Sequence, residues 1–205
     1  MPFSKEAILH FNTDHEKVGT AVLIKPDIAL TTRHQYLWIE TCKPFVATED
    51  NRVRSYINDG FIHPELDMVA MILSKPLSFD GLPLMKGQLD KKEKLTLACY
   101  PAFVKRNYIE IPVFPLGKIF RNISLYIASK TDTSDMGDVL YRLSTYLGKR
   151  QHNLNGASGG AVVSETGELV AMNTGSEVNE MIGVGISAKN IANFLDFLQI
   201  ESVRS

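Results

Sequence analysis

The sequence predicts an all-β protein, a sandwich or a pair of barrels, closed by one C-terminal helix. Short apolar runs recur at roughly ten-residue spacing, separated by turn residues, which is the pattern of short antiparallel strands. Until the last segment, none of these runs carries a helical period. There Ile191, Phe194, Leu195 and Leu198 fall at i, i+3, i+4 and i+7 and so share one helix face.

Taken in order, Ala21 to Ile24 and Ile28 to Thr32 flank Lys25-Pro26-Asp27 and read as a hairpin. Met68 to Leu73, at six residues the longest strictly apolar run, reads as a buried strand, as do Leu95 to Tyr100 and Tyr108 to Phe114. Ala161 to Val163 and Glu168 to Met172 flank Ser164-Glu165-Thr166-Gly167 and make a second hairpin, with Met181 to Ile186 as one more strand. There is no internal repeat or low-complexity tract. The charge-rich stretch Gln88 to Lys94 is the natural boundary, dividing the chain into 1–90 and 91–205.

Composition narrows the function. The 205 residues are 44% apolar and 22% charged, an ordinary globular balance. Lys and Arg number 22 against 23 Asp and Glu, a net charge of −1, which argues against a protein that tracks a phosphate backbone. A six-residue apolar run is too short to span a membrane. Between Met1 and Lys17 the one apolar patch is Ala7-Ile8-Leu9, so no cleaved leader is expected. Cys42 and Cys99 stand 57 residues apart without a CxxC pair, against a disulfide scaffold or a thiolate zinc site. Both are expected as buried or partly buried thiols in a reducing compartment, the cytoplasm or one reached without a signal peptide. No His/Glu pair has metal spacing, and no metal or organic cofactor is expected.

The chemistry centres on Gly156-Ala157-Ser158-Gly159-Gly160. Glycines around a serine let the backbone turn sharply and bring amide N–H groups beside the hydroxyl, as a nucleophile needs if the same turn is to hold an oxyanion. The string also fits the G-x-S-x-G elbow of α/β-hydrolases, but that fold requires its histidine after the serine. All five histidines, His10, His15, His34, His63 and His152, precede Ser158, and a strand pair follows it where the elbow demands a helix. The order His, Asp, Ser is that of chymotrypsin-like enzymes. His34 directly follows an apolar strand and is the preferred base. His10 and His15 lie in a polar N-terminal stretch and read as solvated, and His63 precedes Pro64 in a surface-like turn. Asp67 opens the run Met68 to Leu73, at the mouth of a buried strand where a carboxylate would pair with the imidazole.

Together these segments resemble the trypsin-like serine proteases. Ala29-Leu-Thr-Thr-Arg-His34 resembles their histidine motif, His63-Pro64 followed by Leu66-Asp67 and Met68 to Leu73 their aspartate motif, and Gly156 to Gly160 their serine motif. Glu168 to Gly175 and Ile182 to Ile186 resemble the two strands that wall the substrate pocket, and Ile191 to Ile200 the closing helix. The resemblance covers about residues 18–200 and lies nearest the HtrA-type and other disulfide-free bacterial or viral branches, notably through Met172-Asn173-Thr174. It implies two packed six-stranded antiparallel barrels with a C-terminal helix, His34 and Asp67 on the first barrel, Ser158 on the second and the cleft between. His34 and Asp67 are 33 residues apart and Asp67 and Ser158 are 91 apart, consistent with trimmed loops in the first barrel and a full crossing into the second.

The implied activity is peptide-bond hydrolysis by a serine endopeptidase through a His34–Asp67–Ser158 triad, with the N–H groups of Gly156 and Ser158 as oxyanion hole. The partner is then a protein or peptide substrate. The resemblance places Thr174 with its hydroxyl near Asp67, and His152, Thr174, Gly175 and Gly183 around the substrate. His152 would form the floor of the primary pocket, favouring uncharged or acidic residues before the scissile bond over Arg and Lys. Alternatively, Gly148 to Gln151 shift the register and His152 points to solvent. Two residues depart from the usual pattern: Arg33 stands where a small residue is usual, and Ala157 replaces the acidic residue of zymogens. The rival reading is a catalytically silent binding module on the same fold.

Overall fold

In the computed structural model, residues 3–39, 43–87, 89, 92–102, 105, 107–115, 139–143, 154–177 and 182–204 are described. Among these residues, twelve antiparallel strands divide into two closed barrels. The first contains β1 (Ile8–Asn12), β2 (Lys17–Lys25), β3 (Ile28–Thr31), β4 (Phe45–Ala47), β5 (Arg54–Ile62) and β6 (Val69–Leu73). Their spatial order is β1-β2-β3-β6-β5-β4, closed by β1 on β4. The second contains β7 (Leu95–Cys99), β8 (Ile109–Pro115), β9 (Val139–Leu143), β10 (Ala161–Ser164), β11 (Leu169–Glu177) and β12 (Ile182–Ser187). Its order, β7-β8-β9-β12-β11-β10 with β10 back on β7, repeats that of the first. Closure leaves no unpaired sheet edge to be capped.

Both predicted hairpins are present, as β2–β3 and β10–β11. Gly167 turns the second at a φ of 87°, which a side chain would oppose. The helix predicted from Ile191 onward is α2 (Ala188–Arg204), while α1 (Arg33–Trp38) is a short helix directly after β3. The Asn190 N–H donates to the Ser187 hydroxyl at the start of α2, in the manner of an N-cap. Ile191, Phe194 and Leu195 are buried, so the helix docks by the face its period marks out.

The strands that the apolar runs do not announce are β1, β4, β5 and β9. All five residues of β1 are buried, including His10, whose ring stacks on Tyr100 at 3.7 Å between centroids. The expectation of a solvated His10 is therefore corrected: β1 is an interior strand, covered on both faces. His15, by contrast, is exposed. Cys99 is buried and unbridged, and burial pushes its thiol well above the ordinary range; Cys42 lies outside the described residues.

The barrels join through backbone as well as side chains. The Leu82 N–H donates to Leu23 of the first barrel, and the Leu169 N–H of the second donates to Pro83. The chain thus reaches the second barrel by Pro83, upstream of the Gln88 to Lys94 stretch. The buried Tyr100, just past β7, donates its hydroxyl to the Ile8 carbonyl at 3.0 Å.

Candidate active site

His34 is the second residue of α1, carried to the end of the first barrel by β3. Asp67 immediately precedes Met68 and β6, which pairs with β3 through Thr31 and Val69. Adjacent antiparallel strands therefore bring the end of one to the start of the other, closing a sequence gap of 33 residues. The His34 backbone N–H donates to Asp67 Oδ1 at 2.9 Å, and the ring Nδ1 lies 2.7 Å from Oδ2. A carboxylate only accepts, so Nδ1 carries the proton shared with Asp67. Asp67 is only 7% exposed, whereas the His34 side chain is half exposed. The imidazole thus has one edge held inside the barrel and the other open to the cleft.

A tight turn holds Asp67 in place. The His63 N–H donates to the Met68 carbonyl, and the His63 Nδ1 accepts from the backbone N–H groups of Glu65 and Leu66 at 3.1 and 2.9 Å. The ring of His63 packs on Phe194 of α2, with centroids 4.8 Å apart. Partial burial lowers the pKa of His63, nearby Arg33 adds to this, and Glu65 opposes it. His63 is thus a structural acceptor that braces the aspartate turn against the C-terminal helix.

The serine loop docks onto the first barrel. Thr20 of β2, fully buried, donates its hydroxyl to the Gly156 carbonyl at 2.7 Å and accepts from the Tyr100 N–H at 3.0 Å. The Thr20 N–H reaches the Ser158 carbonyl at 3.3 Å. Gly156 and Gly159 have φ of 87° and 80°, and a Cβ on Gly159 would strike the Thr20 carbonyl and come within 2.8 Å of the Thr31 hydroxyl. Both the backbone conformation and the close approach to the other barrel require glycine there. On the second barrel, buried Asn173 donates its side-chain amide to the Ala157 carbonyl at 2.9 Å, and its carbonyl accepts from Gly159 at 2.7 Å.

Within the turn, the N–H groups of Ala157, Gly159 and Gly160 donate to backbone carbonyls. Among the described residues, those of Gly156 and Ser158 have no acceptor. Two amides beside a hydroxyl with nothing to bond are suited to receive an anion. The Ser158 hydroxyl itself donates to the Thr174 carbonyl at 3.1 Å, and His34 Nε2 faces the Thr32 hydroxyl at 3.4 Å. Among the described residues no hydrogen bond joins Ser158 to His34.

The buried Thr174 hydroxyl donates to the Val184 carbonyl at 3.2 Å across the β11–β12 pair. A register shift between Asn173 and Gly175 accompanies it. Gly175 and Gly183 lie on adjacent strands, where Gly175 pairs with Val184 and Ser176 with Gly183. His152 lies outside the described residues. Among the described residues no three His, Cys, Asp or Glu side chains gather as a metal site needs. The residues that sequence reasoning missed are Thr20, Thr31 and Asn173. The available signal was a threonine set among apolar neighbours in Gly19-Thr20-Ala21-Val22.

Two six-stranded barrels of one topology, with a His–Asp pair at the end of one and a glycine-flanked serine of the other docked against it, define the chymotrypsin-like fold of the trypsin-like serine proteases. No family profile and no curated protein matches the sequence. Solved structures do match. The Rv3671c protease from M. tuberculosis in its active form is 15% identical at a TM-score of 0.68, over 92% of this chain and 79% of that one. Its inactive form is 14% identical at a TM-score of 0.65, covering 92% and 87%. Kallikrein-related peptidase 10 is 11% identical at a TM-score of 0.71, over 96% and 97%. At such identities the likeness carries the fold and not the activity.

Proposed function

We propose that this protein is a serine endopeptidase that cleaves peptide bonds through His34, Asp67 and Ser158. The observation that carries the reading is the paired contact of Asp67 with both the backbone and the ring of His34, which fixes the imidazole by its Nδ1 edge. In the working state the Ser158 hydroxyl leaves the Thr174 carbonyl, a rotation between staggered positions, and donates to Nε2. Its oxygen attacks the scissile carbonyl carbon as His34 takes the proton, and Asp67 stabilises the imidazolium. The N–H groups of Gly156 and Ser158 hold the oxyanion, each contributing on the order of 3 kcal/mol to the transition state. His34 then passes the proton to the departing nitrogen, and water releases the acyl group from Ser158 by the same path. His152 as pocket floor, with disfavour for Arg and Lys before the scissile bond, belongs to this proposal.

One observation favours the silent binding module, namely the Ser158 hydroxyl directed at Thr174 in place of His34. A fluorophosphonate probe separates the two readings. The enzyme becomes labelled at Ser158 and loses labelling in Ser158→Ala, with an unchanged circular dichroism spectrum. Absence of labelling in the folded wild type establishes the binding module.

A further inference from the structure

Of the six residues of α1, the one that is buried is Gln35, which directly follows His34 and is 4% exposed. A primary amide taken out of water costs free energy unless its polar atoms are bonded, and an apolar side chain would fill the same space without that cost. A helix of six residues is also too short to hold itself, so its orientation is set by what its side chains meet. A buried amide at this position therefore serves something other than packing.

Its partner is the Thr31 hydroxyl, which donates to Gln35 Oε1 at 3.1 Å. That hydroxyl also lies 2.9 Å from the Thr20 carbonyl, so its one proton is shared between two acceptors. The amide is seated on β2 at Gly19, where an added Cβ would overlap it. The bare backbone of Gly19 thus makes the room through which Gln35 reaches Thr31. Thr31 in turn faces the serine loop. A Cβ on Gly159 would come within 2.8 Å of the Thr31 hydroxyl, and Thr20 donates to the carbonyls of Gly156 and Ser158 at 2.7 and 3.3 Å. The residue after His34 and the residue after Ser158 therefore meet on one hydroxyl.

Asp67 holds the His34 ring within the first barrel, but it does not fix the distance from that ring to Ser158 on the second. We propose that Gln35 is the positioning residue that does so: through Thr31 it registers α1, and His34 with it, against the serine loop. This inference rests on the triad reading. Gln35 touches neither substrate nor reacting atom. It holds the imidazole where the Ser158 hydroxyl, once turned from Thr174, meets Nε2. A hydrogen bond can do this where a buried methyl group cannot, because the bond is directional and apolar contact lets a short helix slide and rotate.

Gln35→Met tests it, keeping the length and unbranched shape of the side chain and removing the amide. Thr31 keeps the Thr20 carbonyl as acceptor, so no buried group is stranded and the melting temperature should stay close to that of the wild type. Fluorophosphonate labelling reads the chemistry, since the Ser158 oxygen displaces fluoride from phosphorus as His34 takes the hydroxyl proton. Over a series of probe concentrations the maximal labelling rate is expected to fall about tenfold or more, with the half-saturating concentration unchanged, because misplaced reacting groups slow the step without weakening binding. The pH midpoint of labelling should not move, as Asp67 still holds the ring. Gly19→Ala leaves Gln35 in the chain but pushes its amide from Thr31, so it should lower the maximal rate likewise, and it decides the matter if Gln35→Met does not fold. A maximal rate close to wild type overturns the role of Gln35, as does a loss that appears in the half-saturating concentration or moves the pH midpoint. In each of these cases labelling of the wild type at Ser158 leaves the triad standing. A wild type labelled no more than Ser158→Ala overturns the triad reading, and the role of Gln35 with it.

Discussion

Thr20→Val is the perturbation that most directly examines how the two barrels assemble the site. The substitution keeps the shape of the side chain and removes its hydroxyl. That hydroxyl donates to the Gly156 carbonyl at 2.7 Å and accepts from the Tyr100 N–H at 3.0 Å, in a position with no exposed surface. Valine leaves one buried carbonyl and one buried N–H unsatisfied. Each costs about 1–3 kcal/mol, and the extra methyl returns less than about 1 kcal/mol, so a loss of about 3 kcal/mol is expected. For a chain of this size that lowers the melting temperature by roughly 6–12 °C. Because the lost bond is to Gly156, in the turn proposed to hold the oxyanion, fluorophosphonate labelling of Ser158 should slow as well. Thermal unfolding by circular dichroism and the labelling rate are the two readouts, with Thr20→Ser as a control that keeps the hydroxyl. A Thr20→Val protein that melts within a degree of wild type and is labelled equally fast would show that Thr20 does not hold the serine loop.

Four further outcomes are expected. Asp67→Asn removes the acceptor that sets the imidazole tautomer and should lower kcat by about four orders of magnitude, as for such a change in a comparable triad, with little change in melting temperature; a loss below tenfold refutes the role of Asp67. Gly159→Ala forces a side chain into a left-handed backbone and against the Thr20 carbonyl, so it should abolish labelling and destabilise the fold; a labelled, stable variant refutes the close approach. Cys99, with its thiol pushed up by burial, should resist iodoacetamide in the native protein and react on unfolding, as read by mass spectrometry of the modified peptide. His63 titrates below its ordinary value of about 6.5 when folded, so the unfolded chain binds the proton more readily. Its contribution to stability is complete above about pH 6.5 and declines as pH falls from there toward the lower folded value. His63→Asn offers an acceptor oxygen in place of Nδ1 without titrating, and the melting temperature should fall less between pH 7 and 5 than in wild type; identical curves refute the assignment.

The strands that could be read in the sequence are those whose burial is continuous. Met68 to Leu73, Leu95 to Tyr100 and the runs around Gly167 carry enough β-branched and apolar residues to mark themselves out, and α2 declares its docked face by period alone. The pairing of His34 with Asp67 could be read as well, because each stands at the end of a strand that an apolar run announces. β5 could not. Its nine residues are mostly exposed, without an apolar run, and it is a strand because β4 and β6 offer hydrogen-bonding partners on both sides. His10 was misread for the related reason that burial of a polar ring depends on a neighbour, Tyr100, that lies 90 residues away. The bonds of Thr20 to Gly156 and Tyr100 depend on how the two barrels meet, and those of the Thr174 and Ser158 hydroxyls on the packing of strand and loop within the second barrel. Residue type and spacing specify which side chains arrive at the cleft. Which hydrogen bonds they make there follows from how two closed barrels pack, a choice among near-equal partners that only the folded chain presents.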